Sequence, residues 1–369
     1  MKVIIVGAGV AGLSAGLTLA NNGGDVLVVE KHSQTGGLCT GWSRKGRSGM
    51  AYSFNGCMHW LLGARKGTTF HKYLSELVDL SKIHFIDHRE RVVFDYGDSK
   101  FSFMNKVEEF EKYLLDIAPE DSAVIREWMS AVRFVNRMQP YLPPDFDQPT
   151  LWEKAKYFVK IHKLVLFVPF MLKWRGVTTH SFSERFKNES LRKYVRNLYS
   201  IEMQMMHVFF VQSYADLGVA SYPEGGSEKF AELLTESYLQ KGGKLLLNSP
   251  VSKIVVDNDV AKGILLENGE TLSADYVVSA ADWIWTQSVA LGGRYVTEKQ
   301  KPYVNMPKEG IYYSYCMLYL GMKAPMTEYP HFIRINVPKM ASPDGTEYEL
   351  VFRHVPGNVL LTLKALEVL

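Results

Sequence analysis

Gly7, Gly9 and Gly12 stand in an uncharged run, VIIVGAGVAGLSAGLTLA from Val3 to Ala20, at a spacing that carries a backbone past a pyrophosphate. In that pattern the first glycine permits a tight turn, the second lets the backbone approach phosphate oxygens, and the third lets a helix pack closely on the preceding strand. Ala8 and Ala11 complete the turn, and a helix starting there offers free N–H groups to an anion. Glu30 ends DVLVVE, eighteen residues beyond Gly12. A carboxylate there accepts hydrogen bonds from an adenosine ribose and disfavours a ribose phosphate, so the chemistry indicated is the holding of a dinucleotide other than NADP.

For these residues to meet, the segment must fold as a strand over Lys2–Val6, a glycine turn, a helix over about Ala11–Asn21 and a second strand over Val26–Val29. A lysine followed by an apolar run also imitates an export signal or a membrane span. The glycines and the second strand divide the run into two elements, which favours the cofactor reading. The 369 residues are 47% hydrophobic and 22% charged, enough for two domains with sizeable cores. A net charge of +3 gives no general reason to expect a nucleic-acid partner. Cys39, Cys57 and Cys316 lack metal-ligand spacing, so no metal is expected, and an odd few thiols suit a reducing compartment. The expected location is the cytoplasm or the cytoplasmic face of a membrane.

After Glu30 and Lys31 comes HSQTGGLCTGWSRKG, whose Gly36-Gly37 doublet and Gly41 describe a loop passing very close to something. GAGVAGLSAGLTLANNGGDVLVVEKHSQTGG resembles the N-terminal FAD-binding motif of the flavin amine oxidase superfamily. GGLCTGWSRKG and FNGCMHWLLG (Phe54 to Gly63) are most similar to its phytoene desaturase branch, which includes carotenoid desaturases and isomerases and retinol saturases. The resemblance implies FAD as cofactor, Glu30 (with Lys31 beside it) on the adenosine ribose, and Gly36, Gly37 and Leu38 along the cofactor near the flavin. A second block, Tyr222 to Trp283, reads as loop, amphipathic helix, strand, a hairpin turning at Asn268-Gly269, and a last strand at Tyr276–Ser279. It resembles the returning half of the same domain, where Val251 meets the adenine through its backbone.

The implied fold is α/β: a Rossmann-like FAD-binding domain (1–90 and 216–285) interleaved with an α+β substrate domain (91–215 and 286–369). The latter is expected to set helices, one starting near Asp121-Ser122, over a mostly antiparallel sheet. IEMQMMHVFF (Ile201 to Phe210) reads as core or as the lining of an apolar tunnel. In 152–176, six basic residues surround the uncharged run Leu164 to Leu172, with Trp152 and Trp174 near the ends and Pro169 within. The run falls short of the roughly 20 residues that cross a bilayer, but it fits a peripheral membrane-associating helix or an amphipathic core helix with a solvated basic face, broken by Pro169.

The resemblance implies an oxidoreductase that desaturates, saturates or isomerises an apolar polyene or lipid-like small molecule. His59, in GCMHW, is the candidate for a catalytic side chain, against a structural role; His180 and His207 have weaker cases. Two other readings remain: a flavin amine oxidase-type enzyme, and a truncated, non-catalytic FAD- or membrane-binding remnant. The last arises because the family closes with a glycine-rich flavin motif that does not follow Leu369. Oligomeric state has no signature in the sequence.

Overall fold

In the computed structural model of the chain, the described residues are 1–47, 49–97, 99–138, 150–152, 165, 167–199, 202–304, 316–321, 330–337, 348–355 and 358–365. The chain divides into two compact units. The first comprises Met1–Trp60, Tyr73–Ile86 and Tyr222–Ser314; the second comprises Leu61–Lys72, Asp87–Ser221 and Tyr315–Leu369.

The first unit is built on a parallel sheet in the order Lys244–Leu246, Asp25–Val29, Lys2–Val6, Tyr276–Ser279. Lys2–Val6 is a near-continuous apolar run because it is an inner strand buried on both faces; Val3 to Val6 are all buried. Helix Val10–Asn21 turns Gly12, Leu13, Gly16 and Leu17 inward and packs against helix Gly226–Gln240. Tyr238 on the latter is fully buried and donates to the carbonyls of Val26 and Lys244 at 2.9 and 2.8 Å, fastening helix to sheet. Burial pushes its phenol up to about 12, so the hydroxyl remains a donor. Strands Val251–Asp257, Val260–Leu266 and Thr271–Ser273 form an antiparallel ribbon that turns at Asn268-Gly269, with Gly269 at φ +89°.

The second unit carries a six-stranded sheet in the order Cys316–Gly321, Asn358–Ala365, Tyr348–Val355, Phe332–Val337, Glu90–Asp95, Lys100–Met104. Every neighbouring pair is antiparallel except Phe332–Val337 with Glu90–Asp95. Helices Val107–Ile117, Ser122–Met138 and Met205–Asp216 contribute to an aromatic core containing Phe94, Phe101, Phe110, Trp128, Trp174 and Phe209. Each such side chain, fully buried, contributes roughly 1.5–3 kcal/mol. The helix at Ser122 follows a turn, Pro119–Asp121, whose Asp121 carboxylate accepts from the backbone N–H of Lys187 and Asn188 at 2.7 and 2.9 Å.

Several placements differ from the sequence reading. Residues 286–304 cluster with the first unit, because strand Tyr276–Ser279 leads straight into turns whose Thr286 hydroxyl meets that of Ser279 at 2.7 Å. Residues 61–72 cluster with the second, where Gly63 N–H and the Arg65 guanidinium donate to the carbonyls of Val219 and Leu217 at 2.8 and 2.7 Å. Trp174 is no interfacial anchor: it is 2% exposed, packed against Phe209 and Phe182. Residues 167–174 are helical through Pro169. Most of the basic stretch before them, 153–164, lies outside the described residues. Met205, Val208 and Phe209 are fully buried core, so the tunnel reading fails for them. Among the described residues, no helix is long and apolar enough to cross a membrane.

Candidate dinucleotide site

The three glycines of the first turn have separable reasons to be glycine. Gly7 sits at φ +100°, a conformation other residues rarely adopt, and its N–H donates to Val29 at 2.7 Å. A Cβ on Gly12 would lie 2.0 Å from the carbonyl oxygen of Gly7. Gly9 is different: its backbone is ordinary, φ −70° and ψ 175°, and a Cβ there would meet nothing nearer than the Gly37 Cα at 4.0 Å. The chain itself thus gives no reason for glycine at this position. Gly9 is also the residue before helix Val10–Asn21, which has no capping side chain and no acid in its first turn. The N–H groups of Val10, Ala11 and Gly12 are beyond reach of the helix's own carbonyls and suit an anion.

Glu30, 7% exposed, lies beside this turn. One carboxylate oxygen accepts from Ala8 N–H at 2.8 Å and the other from His32 N–H at 3.0 Å. A carboxylate has about four acceptor positions, so each oxygen keeps one for a ligand hydroxyl. Glu30 N–H donates to Leu246 and its carbonyl accepts from Ser249, at 2.8 and 2.9 Å, so the returning chain runs alongside. That brings Val251 into one buried cluster with Ile4, Val6 and Val29. Lys31 is exposed.

The doublet closes over the turn. Gly36 N–H donates to the Ala8 carbonyl at 2.8 Å, and Gly9 and Gly36 bridge like neighbouring strands. Gly36 and Gly37 take φ +106° and +60°, and a Cβ on Gly36 would lie 2.3 Å from the Cys39 carbonyl oxygen. Leu38 is 89% exposed. Thus Gly7, Ala8, Gly9, Ala11, Gly12, Glu30, Gly36, Gly37 and Val251 form one neighbourhood, whereas Lys31 and Leu38 border it with exposed side chains.

Two further participants are recruited by long-range pairing. Ala280, just after strand Tyr276–Ser279, packs against Gly7, 3.3 Å from where its Cβ would be. It stands at the carboxyl end of the parallel sheet, where such folds bind ligands. Asn55 ties the loop carrying His59 to helix Gly226–Gln240. Its Oδ1 accepts from Met58 N–H, Ser227 N–H and the Ser227 hydroxyl at 3.2, 3.1 and 2.7 Å, and Ser227 Oγ accepts from Met58 N–H at 2.8 Å. His59 itself is exposed. His180 meets Glu202 at 3.6 Å in the second unit, and His207 stands beside Tyr199 there. No described His, Cys, Asp and Glu residues form a metal-holding group.

The model of the family "flavin containing amine oxidoreductase" matches residues 10–283. Among curated relatives, "Inactive all-trans-retinol 13,14-reductase" of Danio rerio is 24% identical, over 89% of this chain and 55% of its own. "Zeta-carotene-forming phytoene desaturase" of Myxococcus xanthus is 26% identical, over 91% of this chain and 62% of its own. The chain therefore spans little more than half the length of these relatives. Among solved structures, an oxidoreductase from Methanosarcina mazei superposes with a TM-score of 0.61 at 17% identity, covering 100% of this chain and 79% of that one. A putrescine oxidase superposes at 0.54 and 13% identity, covering 99% and 76%. With the family model matched over residues 10–283, the chain belongs to the flavin-containing amine oxidoreductase family.

Proposed function

We propose that the chain acts as an FAD-dependent oxidoreductase on an apolar polyene or similar lipid-like molecule. FAD is the cofactor, and the observation that carries the reading is Gly9: a conformationally ordinary glycine, uncrowded by protein, at an uncapped helix N-terminus. In this assignment the N–H groups of Ala11 and Gly12 hold the pyrophosphate and Glu30 takes the adenosine ribose. Gly36 and Gly37 let the backbone lie along the cofactor, and Val251 bounds the adenine. When bound, the isoalloxazine accepts or returns a hydride. The work left to the chain is to bind, orient and exclude water, for which no general acid or base is obligatory. His59 is the side chain to replace first. The names of the relatives, which include "Prolycopene isomerase 1, chloroplastic" of an Oncidium hybrid, support an apolar polyene. Anaerobic addition of such a polyene to the reduced holoprotein, or of its saturated counterpart to the oxidised one, should change the flavin absorbance in one direction. Silence toward both would remove the substrate assignment.

We propose a cytoplasmic location with peripheral attachment to the cytoplasmic face of a membrane. Supporting it, helical residues 167–174 turn Phe170 and Trp174 toward the core while Val168, Met171 and Leu172 stay 52%, 46% and 64% exposed. Phe167 stacks on Phe134, so it belongs to the inner face. Burying the three outer side chains in lipid would contribute a few kcal/mol, at roughly 25 cal/mol per Å² of apolar area. Their joint replacement by serine should release the protein from anionic vesicles in co-sedimentation without lowering its melting temperature. A wild type that stays in the supernatant with such vesicles at low salt excludes the association.

A further inference from the structure

Strands Gly41–Lys45 and Ala51–Asn55 pair antiparallel in the first unit, with Gly41 opposite Asn55. The ladder continues one step further, where Gly56 N–H donates to the Thr40 carbonyl at 2.9 Å. In the same register the next residues to face each other are Cys39 and Cys57. The position beyond a hydrogen-bonded pair is a non-hydrogen-bonded one, at which a regular ladder holds Cα atoms about 4.5 Å apart with their side chains on one face. A disulfide spans Cα separations of roughly 4.4–6.8 Å. The ladder ends there because Asn55 Oδ1 accepts from Cys57 N–H and Met58 N–H at 3.3 and 3.2 Å, a side-chain turn that replaces the next rung, and both cysteines remain thiols. The face they share is the one toward helix Gly226–Gln240. A Cβ on Gly41 would lie 3.0 Å from the Glu228 Cβ, and the Cys39 thiol donates to the Ser227 carbonyl at 3.6 Å. Cys39 is half-buried and Cys57 exposed. Burial pushes the Cys39 thiol up, and the charge of nearby Cys57 adds to the rise.

We propose that Cys39 and Cys57 are a thiol pair that closes reversibly into a disulfide, tying the loop of the glycine doublet to the loop carrying His59. The oxidant is a low-molecular-weight disulfide such as glutathione disulfide. Cys57, the accessible thiol, attacks it as the thiolate and displaces one glutathione thiolate, which takes up a proton. Cys39 then gives up its proton and attacks the Cys57 sulfur, releasing the second glutathione. Two protein thiols are oxidised to one disulfide, and one glutathione disulfide is reduced to two glutathiones. Excess glutathione runs the exchange backwards, as befits an exposed bond. Cys39 N–H donates to the Gly36 carbonyl at 2.9 Å, so the bond anchors the doublet that closes over Gly9 and slows the release of the cofactor beneath it. Only that consequence rests on the FAD reading. Two cysteines serving as small packing residues would exchange independently and leave glutathione on the exposed one.

The experiment treats the reduced full chain with glutathione disulfide, quenches with acid, alkylates the remaining thiols and digests with trypsin, which places Cys39 in peptide 32–44 and Cys57 in 48–65. Mass spectrometry should find these two peptides joined, in a chain that stays monomeric on non-reducing electrophoresis, and dithiothreitol should part them. Cys39→Ser should stop with one glutathione on Cys57, and Cys57→Ser should react about tenfold or more slowly, because the remaining thiol is half-buried and protonated. Wild type that keeps both thiols, that ends with glutathione on Cys57, or that joins either cysteine to Cys316 or to a second copy overturns the proposal. In FAD-loaded protein the oxidised form should release flavin about threefold or more slowly than the reduced form, a difference absent in Cys57→Ser. Equal release rates overturn the anchoring role. A chain that joins its cysteines but takes up no FAD upholds the pair and sinks only the cofactor assignment.

Discussion

Replacing Gly9 with alanine is expected to give a folded protein that holds no FAD. The backbone at Gly9 is compatible with alanine, and the added methyl would meet only the Gly37 Cα at 4.0 Å. Gly→Ala at a compatible site stabilises by roughly 0.4–1 kcal/mol through the unfolded chain, so the melting temperature should hold or rise slightly. The methyl instead occupies space above the uncapped helix end where pyrophosphate oxygens must approach. Losing two hydrogen bonds to a charged group costs roughly 3 kcal/mol or more, over a hundredfold in affinity. Gly12→Ala should behave in the opposite way: its Cβ would lie 2.0 Å from the Gly7 carbonyl oxygen, so the strand–helix packing itself should fail. Thermal melts beside flavin absorbance read both, and Gly9→Ala with wild-type flavin content would show that nothing binds over that turn.

Glu30→Arg should abolish FAD retention and lower stability at the same time. The buried carboxylate accepts from Ala8 and His32 N–H groups and, in the proposed complex, from two ribose hydroxyls. A cation supplies none of those acceptors, and each stranded buried donor costs about 1–3 kcal/mol. Glu30→Gln separates the roles, since it keeps one acceptor oxygen and loses the charge. It should fold, and bind FAD about tenfold or more weakly, the worth of one hydrogen bond to a charged partner. Equal cofactor content in wild type and Glu30→Gln would place the ribose elsewhere.

What could be read from the sequence was what depends on neighbours along the chain. Turn glycines, an acid at a strand end, the Asn268-Gly269 hairpin and the Asp121-Ser122 helix start all act within a few residues. Features made by distant pairing could not be read. Asn55 signals a local turn by being followed by glycine, but its clasp on Ser227 spans 172 residues. Trp174, flanked by basic residues, has the composition of an interfacial anchor, yet its partners Phe182 and Phe209 make it core. Arg91 looks like one more strand residue until the register with Lys100–Met104 slips beside it. In the 152–176 stretch, sequence periodicity did not separate the inner face bearing Phe167 from the outer face bearing Val168, because both are apolar.

The central claim is that FAD occupies the turn formed by Gly7, Gly9 and Gly12 beside Glu30. Its most direct test is to purify the chain, denature it, and chromatograph the released small molecule beside FAD, FMN and NAD standards, with Gly9→Ala prepared in parallel. The account predicts FAD at close to one per chain from wild type, or on reconstitution with added FAD, and almost none from the folded variant. Release of NAD in place of FAD, or a wild type that neither carries nor takes up FAD, would contradict it.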